Sequence, residues 1–389
     1  MEQFEVVVVG AGLAGLQATR LLARRGVRVL LVDRKTSLAE SVHTTGIFVR
    51  RTLEDFRLPE SCLGRPVRHV TLYSPARRAL TLRSSRDEFR VGRMARLYEH
   101  FLEDALGAGA AWSPATRYAW LEDGGAGRGS VVRLERGGRA RDVRARYVVA
   151  ADGALSRVAS DLGLDANGEW IVGVEDVYEG VPLEGEPRFH CFLDPRIAPG
   201  YLAWVVHDGE EAHVGVGGYA ARFDPLKALE SFRASLASLF DFSRARKVER
   251  RGGRIPVGGV MNRIANARGL LVGDAAGAVS PLTAGGLDPC MRLSSLAAEV
   301  AADYVKTGDA AALARYSGEQ FRARFVSRLW MRRVLRATAH PALVEAACAL
   351  MRLPPLSAVA WQVFFGRGSF PDVKLETAPE LSVSEVIRG

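Results

Sequence analysis

The amino-acid sequence predicts an α/β fold (α+β overall), in which a Rossmann-like nucleotide-binding domain is combined with an interleaved antiparallel-sheet domain and a helical C-terminal part. Three observations support this class. A β-branched run at residues 4–9 leads into a glycine-rich turn, short alternating runs dominate residues 169–218, and a second glycine-rich strand end follows at residues 270–287. The 389 residues suffice for one large domain or two closely joined domains.

The N-terminal unit has a strand, a turn, a helix, a second strand and an acidic residue in that order. Phe4–Val9 is predicted to be a buried parallel strand, residues 16–25 a helix and residues 27–32 the next strand, which ends at Asp33. The turn carries a GxGxxG pattern made of Gly10, Ala11, Gly12, Leu13, Ala14 and Gly15. GxGxxG alone is a weak signal, but this complete order is typical of dinucleotide-binding units.

Each part of this unit has a physical reason. Gly10 allows the tight turn, Gly12 lets a pyrophosphate approach the backbone, and Gly15 lets the helix pack closely on the strand. The helix N-terminus offers N–H groups and a partial positive charge to the pyrophosphate. Asp33 can accept hydrogen bonds from ribose hydroxyls, and its charge disfavours a 2′-phosphate. The unit predicts a dinucleotide without deciding between FAD and NAD.

Two later strand ends narrow that choice. Residues 141–150 form a predicted strand that ends on Ala151, Asp152 and Gly153, and the last strand ends on Gly273 and Asp274 before the glycine pair at 285–286. Open α/β sheets gather ligands at the carboxyl ends of their strands. A lone carboxylate beside a glycine-lined helix start can hold a sugar-like chain and accept a flavin ring. The first and last segments together indicate one long cofactor, FAD.

The middle of the chain predicts an antiparallel sheet at residues 172–178, 187–193, 200–207 and 212–218, with a hairpin at 68–82 and a covering helix at 226–240. Such a sheet can cover a flavin ring and wall a substrate cavity. Tyr201 and Trp204 are candidate substrate contacts, with plain core packing as the alternative. The predicted domains are an FAD-binding domain at 1–67, 84–165 and 254–320, a sheet domain at 68–83 and 166–253, and a helical region at 321–389.

The C-terminal part predicts one helix at residues 288–307 and another at 310–338. In the second helix, four arginines at helical spacing form a stripe: Arg324, Arg328, Arg332 and Arg336. A basic amphipathic helix can rest on anionic lipid, and the alternative is a helix packed on the core with a solvated arginine face. Residues 339–389 are predicted to add helical cover and a loose, acidic end.

Composition excludes several classes of protein. The net charge of +9 comes almost entirely from arginine, and no nucleic-acid-binding motif accompanies it, so no nucleic-acid partner is expected. Four scattered cysteines form no CxxC pair, which predicts free thiols and neither a metal site nor a redox dithiol. The start lacks a signal-peptide pattern and residues 353–366 are too short to span a bilayer. We expect a cytoplasmic protein with possible peripheral membrane contact.

The three strand-end motifs together resemble the glutathione-reductase-type FAD superfamily, which includes the p-hydroxybenzoate hydroxylase-like monooxygenases. The chain resembles the geranylgeranyl reductase family most, over about residues 4–320. Members share a Gly-Asp segment that runs into Pro-Leu and then a Gly-Gly pair, matched here by Pro281 and Gly285–Gly286. They also share a Pro-Gly-Tyr segment with a tryptophan shortly after it, followed by VGVGG, matched by residues 199–204 and 214–218.

The resemblance implies roles for individual residues. Gly46 of the loop 43–46 matches the glycine of a Cys-Gly pair that many members place near the flavin, with Thr45 at the position of the cysteine. Because no second GxGxxG exists, NAD(P)H would bind only transiently as the reductant. The implied cofactor-binding residues are Gly10, Gly12, Leu13, Ala14, Gly15, Asp33, Arg34, Gly46, Arg93, Asp152, Gly153, Gly273, Asp274, Pro281, Gly285, Gly286 and Leu287.

Two reactions are open at this point. In the first, flavin N5 delivers hydride to a carbon–carbon double bond of a hydrophobic, isoprenoid or polyene-like substrate, and an acid supplies the proton; His43 is the candidate acid from its place in the loop. In the second, a monooxygenase uses reduced FAD and O₂ to hydroxylate or epoxidise an aromatic or polyketide-like substrate. A flavin-binding protein without turnover is the third hypothesis. The fold serves both reactions and does not decide between them.

Overall fold

The computed structural model describes residues 1–40, 42–125, 129–337 and 340–366. Within these ranges the strands are β1 (Glu2–Val9), β2 (Val29–Val32), β3 (Ile47–Val49), β4 (His69–Tyr73), β5 (Ala79–Leu82), β6 (Phe89–Val91), β7 (Ala111–Ser113), β8 (Arg117–Asp123), β9 (Ser130–Arg136), β10 (Arg139–Ala150), β11 (Trp170–Glu179), β12 (Arg188–Phe192), β13 (Ala203–His207), β14 (Glu211–Gly218), β15 (Arg246–Pro256) and β16 (Gly269–Leu271). The α-helices are α1 (Leu13–Arg24), α2 (Arg50–Asp55), α3 (Met94–Gly107), α4 (Arg157–Leu162), α5 (Pro225–Ser235), α6 (Leu287–Thr307), α7 (Gly318–Ala323), α8 (Val326–Ala337), α9 (Pro341–Leu350) and α10 (Pro354–Phe365).

The first sheet has the mixed α/β architecture that the sequence predicts. Its order is β7-β2-β1-β10-β9-β8, and β16 pairs with the other edge of β10. Strands β7, β2, β1, β10 and β16 run parallel, while β9 and β8 extend the sheet as antiparallel strands. The central part of this sheet is apolar and buried because helices such as α1 and α6 cover it: β2, β16, residues 6–9 of β1 and residues 147–150 of β10. Parallel pairing brings the carboxyl ends of β1, β2, β10 and β16 to one edge.

The second sheet walls the opposite side of the site. Its order is β15-β11-β14-β13-β12-β4-β5, with β12 and β4 parallel and the other pairs antiparallel. Helix α5 packs on it through Leu229 and Phe232. Two predictions needed correction here: β13 begins at Ala203 because Gly200 forms a turn at φ +73°, and α5 ends at Ser235 instead of residue 240.

Strand β15 was missed by the sequence analysis. Its sequence RKVERRGGRIP has few apolar residues and no alternation, and most of its side chains are at least partly exposed. The strand lies at the edge of the sheet, so only one neighbour constrains it. A strand of this kind carries little of the apolar pattern on which prediction depends.

The prediction of one helix at 310–338 was wrong. The chain forms a 3₁₀ segment at Ala310–Arg315, then α7, then α8. The break is fixed by the core, because the Tyr316 hydroxyl donates to the Leu271 carbonyl (2.8 Å) and Gly318 packs against Met261 so closely that a Cβ would lie 2.0 Å from the Met261 oxygen. Residues 338–339, and the predicted acidic end within 367–389, lie outside the described ranges.

The predicted arginine stripe faces two environments, because Arg324 and Arg336 are exposed whereas Arg328 and Arg332 point inward. Arg332 is 2% exposed and its guanidinium lies over the rings of Tyr201 and Tyr219 (5.7 and 5.0 Å). Arg328 points inward and donates to Ser280 Oγ (2.7 Å). Both hypotheses for this stripe are therefore wrong at these two positions. The outward face of α8 carries both apolar and charged side chains: Trp330 is 61% exposed, and Arg333 and Arg336 are exposed near it.

Helices α9 and α10 close one end of the molecule over β4 and β5. The backbone N–H of Ala76, in the turn between β4 and β5, donates to Glu345 on α9 (2.9 Å). On α10, Trp361 Nε1 donates to the Arg83 carbonyl (3.1 Å) and Phe365 packs against Phe89. No single helix in the described residues is long and apolar enough to cross a membrane; by length and composition α9 and α10 pass only as a pair bent by 104°.

Candidate cofactor and substrate site

A cavity of about 1360 Å³ opens at the edge where the parallel strands end. Its walls include the residues that follow β1, β2, β10 and β16, in line with the ligand position expected for open α/β sheets. The volume exceeds the roughly 300–1,000 Å³ of a pocket for one small ligand. The predicted residues that line it are Gly10, Gly12, Leu13, Ala14, Asp33, Arg34, His43, Gly46, Asp152, Gly153, Tyr201, Trp204, Gly273, Asp274, Gly285, Gly286 and Leu287.

The three glycines of the first turn face three different environments. Gly10 has φ +104°, and a Cβ there would lie 2.3 Å from the Ala151 oxygen. A Cβ on Gly15 would lie 1.8 Å from the Gly10 oxygen, so Gly15 packs inside the turn and does not line the cavity. A Cβ on Gly12 would meet nothing within 4 Å. Gly12 therefore leaves open space at the N-terminus of α1, where no side chain caps the helix and the first helical turn carries no acidic residue.

Asp33 is held rigidly beside this turn. Its Oδ2 accepts a hydrogen bond from the backbone N–H of Ala11 (2.6 Å) and its Oδ1 accepts from that of Lys35 (2.8 Å). The carboxylate lines the cavity, and each oxygen has a further lone pair. It is therefore placed to accept hydrogen bonds from a diol.

Asp274 stands at the start of the turn after β16. Desolvation by burial raises its pKa to about 6, and within the described residues its carboxylate accepts no hydrogen bond. A Cβ on Gly286 would lie 3.8 Å from its Oδ1, so the carboxylate faces the glycine pair at the start of α6. An acceptor of this kind favours a hydroxylated ligand such as a ribityl chain, because hydroxyl groups would replace the lost water.

Asp152 has a structural role that was not predicted from the sequence. Its Oδ1 accepts from Ser156 Oγ (2.6 Å), and its Oδ2 accepts from the backbone N–H of Arg157 (2.9 Å) and of Val158 (3.2 Å). These bonds satisfy free N–H groups at the start of α4. Desolvation raises the pKa of Asp152 despite these hydrogen bonds. Gly153 beside it has φ +87° and open space around a Cβ, so a ligand can approach the backbone there.

Two other predicted residues do not line the cavity. Arg93 pairs with Glu210, in the turn between β13 and β14. Pro281 is buried next to Ser280 and is likewise absent from the walls. The structure therefore places these two side chains beside the cavity and the other predicted residues, apart from Gly15, around it.

Tyr201 and Trp204 cross the second sheet over two glycines. A Cβ on Gly215 would lie 2.1 Å from the Trp204 ring, and a Cβ on Gly217 would lie 2.7 Å from the Tyr201 ring. The glycines of the VGVGG segment thus provide room for both aromatic side chains. The Tyr201 hydroxyl donates to the Thr283 carbonyl (2.6 Å), which joins the sheet to the turn before α6.

One end of the cavity is strongly apolar. It is formed by side chains on or next to α8, α9 and α10, by apolar residues on or next to the second sheet, and by Phe89 of β6. These residues are Leu72, Phe89, Phe189, Leu193, Leu202, Met331, Leu335, Ala347, Leu350, Met351, Leu356, Val359, Ala360, Val363, Phe364 and Phe365. Residues 339–366 were predicted only to form additional helices that cover the domain. Their contribution could not be seen without knowing where α9 and α10 dock.

A buried pair of ionisable side chains on the second sheet was not predicted from the sequence. Glu175 lines the cavity, and its Oε1 lies 3.3 Å from Nδ1 of the buried His213. Desolvation lowers the pKa of His213, but Asp208 and Glu175 outweigh it and raise the pKa to about 9. Ligand atoms of Asp208, Glu211 and His213 lie within 4.8 Å of one another, a grouping that could accept a cation. At neutral pH the proton on His213 opposes this, because metal binding requires neutral imidazole.

We call the glycine-rich turn at residues 10–15, Asp33, Asp274 and residues 285–287 the cofactor cradle. This cradle and the long cavity define an FAD-dependent oxidoreductase with a glutathione-reductase-type fold. A family profile described as an FAD-binding domain matches residues 3–332. Digeranylgeranylglycerophospholipid reductase 1 of Methanopyrus kandleri is 32% identical over 343 residues, which are 83% of this chain and 88% of that protein. The corresponding reductase of Methanothrix thermoacetophila is 30% identical over 316 residues, 78% of this chain and 79% of that protein.

A solved structure shares the fold. The geranylgeranyl bacteriochlorophyll reductase-like protein of Thermoplasma acidophilum has a TM-score of 0.82 at 22% identity, over 95% of this chain and 97% of that one. The chain belongs to the geranylgeranyl reductase family of FAD-dependent oxidoreductases. The predictions of fold class, family and FAD are confirmed.

Proposed function

We propose that this protein uses bound FAD to reduce carbon–carbon double bonds in an isoprenoid chain of a lipid. The observation that carries the proposal is a single cavity with a nucleotide cradle at the strand ends and an apolar end under α8–α10. The names of the two archaeal relatives support the same substrate class. A long apolar chain gains about 0.8 kcal/mol for each methylene removed from water, so an apolar cavity end favours such a substrate.

The proposed cofactor contacts follow the geometry of the cradle. Gly12 and the N-terminus of α1 would hold the pyrophosphate, Asp33 the adenosine ribose, and Asp274 the ribityl chain. Residues 285–287 would lie along the isoalloxazine ring. When bound and reduced, FAD supplies hydride to one carbon of the double bond. The protein orients the substrate chain, excludes water and supplies a proton to the other carbon.

Tyr201 and Trp204 are proposed substrate contacts. Both line the cavity: Trp204 lies on β13 of the second sheet, and Tyr201 lies in the turn just before that strand. For the electron source we propose NAD(P)H, bound transiently, because the chain carries a single GxGxxG unit.

Anaerobic turnover tests the reaction type. The FAD-loaded protein, reduced with dithionite, should convert a geranylgeranyl-bearing phospholipid into products heavier by two hydrogens per reduced bond. The matched variants are Val363→Glu, which puts a charge into the apolar end, and Gln362→Glu, which puts the same charge on the exposed side of α10. Only Val363→Glu should abolish turnover. A product that forms only with O₂ and gains one oxygen atom would refute reduction and support the monooxygenase alternative.

We further propose a peripheral membrane contact made by apolar side chains. Trp330, Val334, Leu343, Leu353 and Trp361 on or next to α8, α9 and α10 are each at least 40% exposed. These helices also line the apolar end of the cavity, so a lipid could reach it without crossing water. Co-sedimentation with neutral vesicles should be retained at high salt and reduced by Trp330→Glu. Binding that needs anionic lipid and disappears with salt would contradict an apolar contact.

A further inference from the structure

A buried chain of ionisable side chains leads from the turn between β13 and β14 to the cavity. His213 on β14 lies between two carboxylates, with Nδ1 3.3 Å from Glu175 Oε1 and Nε2 3.8 Å from Asp208 Oδ2. The side chains of all three residues are at most 4% exposed. Charged groups are rarely buried without a partner or a function, and nothing in the cofactor cradle requires them here.

The cavity end of this chain is Thr45. Glu175 Oε2 accepts a hydrogen bond from the Thr45 hydroxyl and another from Trp204 Nε1 (2.9 Å). Thr45 and Glu175 both line the cavity, next to Gly46. When Glu175 is protonated, its carboxyl group can donate a proton to the Thr45 hydroxyl, which releases its own proton into the cavity.

The surface end is Glu211. Asp208 Oδ1 accepts from the backbone N–H groups of Glu210 (2.8 Å) and Glu211 (2.7 Å), which leaves its Oδ2 directed to His213. Glu211 is partly exposed, and its carboxylate belongs to the group of atoms within 4.8 Å of Asp208 and His213. His213 Nε2 is buried and has no hydrogen-bond partner among the described residues, and Asp208 Oδ2 lies 3.8 Å from it.

The surrounding charges keep a proton on this chain. Glu175 and Asp208 face the imidazole from two sides, Glu211 lies beyond Asp208, and Arg251 on β15 lies 3.7 Å from Glu175 Oε1. The two carboxylates outweigh desolvation and hold His213 protonated at neutral pH. His43, by contrast, is exposed and lies 3.2 Å from the Gly252 carbonyl, and desolvation together with the nearby Lys35 charge lowers its pKa. His43 is thus neutral where a proton donor is needed.

We propose that Asp208, His213, Glu175 and Thr45 form a proton relay that delivers the second hydrogen for double-bond reduction from the surface at Glu211 to the cavity. This inference rests on the proposed function. One π bond breaks and two C–H bonds form, one from the hydride that reduced FAD supplies and one from the Thr45 hydroxyl proton. Thr45 regains a proton from Glu175, Glu175 from His213 Nδ1, and His213 Nε2 from solvent through Asp208 and Glu211.

The kinetic test uses single turnover by FAD-loaded enzyme that has been reduced before it meets the substrate. Thr45→Val removes only the hydroxyl and His213→Gln removes the ionisable group. Each should slow substrate reduction by about 10²–10⁴-fold, as for loss of a general acid. Thr45→Ser should retain the rate. The control is His190→Gln, because His190 is a partly buried histidine of the same sheet that contacts Tyr73 and not Glu175. It should remain within about twofold.

The pH profile separates proton delivery from structural support. The wild-type single-turnover rate should fall as pH rises through the pKa of His213, and in His213→Gln the remaining rate should lose this dependence. The rate of FAD reduction by dithionite should be unchanged in every variant, which shows that the cofactor site is intact. Unchanged turnover and an unchanged pH profile in both Thr45→Val and His213→Gln would overturn the relay.

A measurement without turnover keeps the inference testable if His213→Gln does not fold. ¹⁵N NMR of the oxidised, FAD-loaded protein should show both nitrogens of His213 protonated at pH 7, with a titration midpoint well above 6.5. Glu175→Gln should lower that midpoint, whereas His190→Gln should not. A neutral His213 at pH 7 overturns the relay. A wild-type enzyme that reduces no alkene overturns the proposed function instead, even when His213 titrates as expected.

Discussion

Asp274→Asn should make the FAD-free protein more stable while it weakens FAD binding. Burial raises the pKa of Asp274 from 3.8 to about 6, so the charged carboxylate disfavours the folded state above pH 6. This rise corresponds to a free energy of up to about 3 kcal/mol, because water inside the cavity screens part of the cost. The cost is absent below pH 4 and grows as pH rises from about 4 to 6. Asparagine has the same shape and carries no charge.

Thermal unfolding of the FAD-free protein measures this effect. With an unfolding entropy of about 2.1 cal/mol/K per residue, 3 kcal/mol corresponds to a Tm increase of about 3–4 °C at pH 7.5 for a chain of this length. The increase should fall to about half at pH 5. FAD binding, followed by fluorescence, should weaken about fivefold, since a neutral acceptor bonds a hydroxyl about 1 kcal/mol less strongly than a charged one.

Asp288→Asn is the matched control. Asp288 is also buried, but it accepts hydrogen bonds from Thr52 Oγ1 and Arg292 Nε, both at 2.9 Å. Its loss weakens the pairing of the buried Arg292, so this variant should be less stable at every pH. Opposite changes in stability for two aspartates fourteen residues apart would follow from their different hydrogen-bond partners. Equal destabilisation by both variants would refute the view that Asp274 is an unsatisfied carboxylate awaiting a ligand.

Three other substitutions test the space around glycines. Gly12→Ala should keep the Tm of the FAD-free protein within about 2 °C of the wild-type value and weaken FAD binding. Gly15→Ala should lower the Tm because its Cβ would lie 1.8 Å from the Gly10 oxygen. Calorimetry measures the Tm, and FAD titration measures the binding. Gly215→Ala should displace the Trp204 indole and cost about 1–3 kcal/mol in denaturant unfolding, with a shift in tryptophan emission; an unchanged emission spectrum would contradict the overlap.

The cofactor side of the site could be predicted because its signals are local. Gly10 has a positive φ, Gly15 packs against the Gly10 oxygen in the same turn, and Asp33 comes directly after the next strand. Parallel pairing then brings the separate strand ends together without any further information. The position of Arg93 could not be predicted in this way, because its partner, Glu210, is 117 residues away in the turn between β13 and β14.

The substrate side could not be predicted because it depends on long-range packing. The arginines of α8 have helical spacing, yet that spacing does not say that Arg332 points into the Tyr201 and Tyr219 rings. Burial of an arginine stem over aromatic rings overrides the usual expectation that such a stripe faces solvent. The docking of α10 is equally remote, since Trp361 meets the Arg83 carbonyl across 278 residues.

Strand register explains why the charged chain and the aromatic wall meet at one place. Glu175 on β11 is directly opposite Arg251 on β15 and Gly215 on β14, and Gly215 is directly opposite Trp204 on β13. Opposed residues share a face, so these four positions form one row across four strands that points into the cavity.

Each member of this row depends on the others. The missing side chain at Gly215 lets the indole of Trp204 reach over β14 and donate to Glu175. His213 lies two residues from Gly215 on the same face of β14. One residue away, Asp176 points to the opposite face and pairs with Arg250 (2.6 Å). A register slip of one residue would therefore exchange Glu175 for Asp176 in this row, so the proposed relay depends on the alternation of β11 and β14.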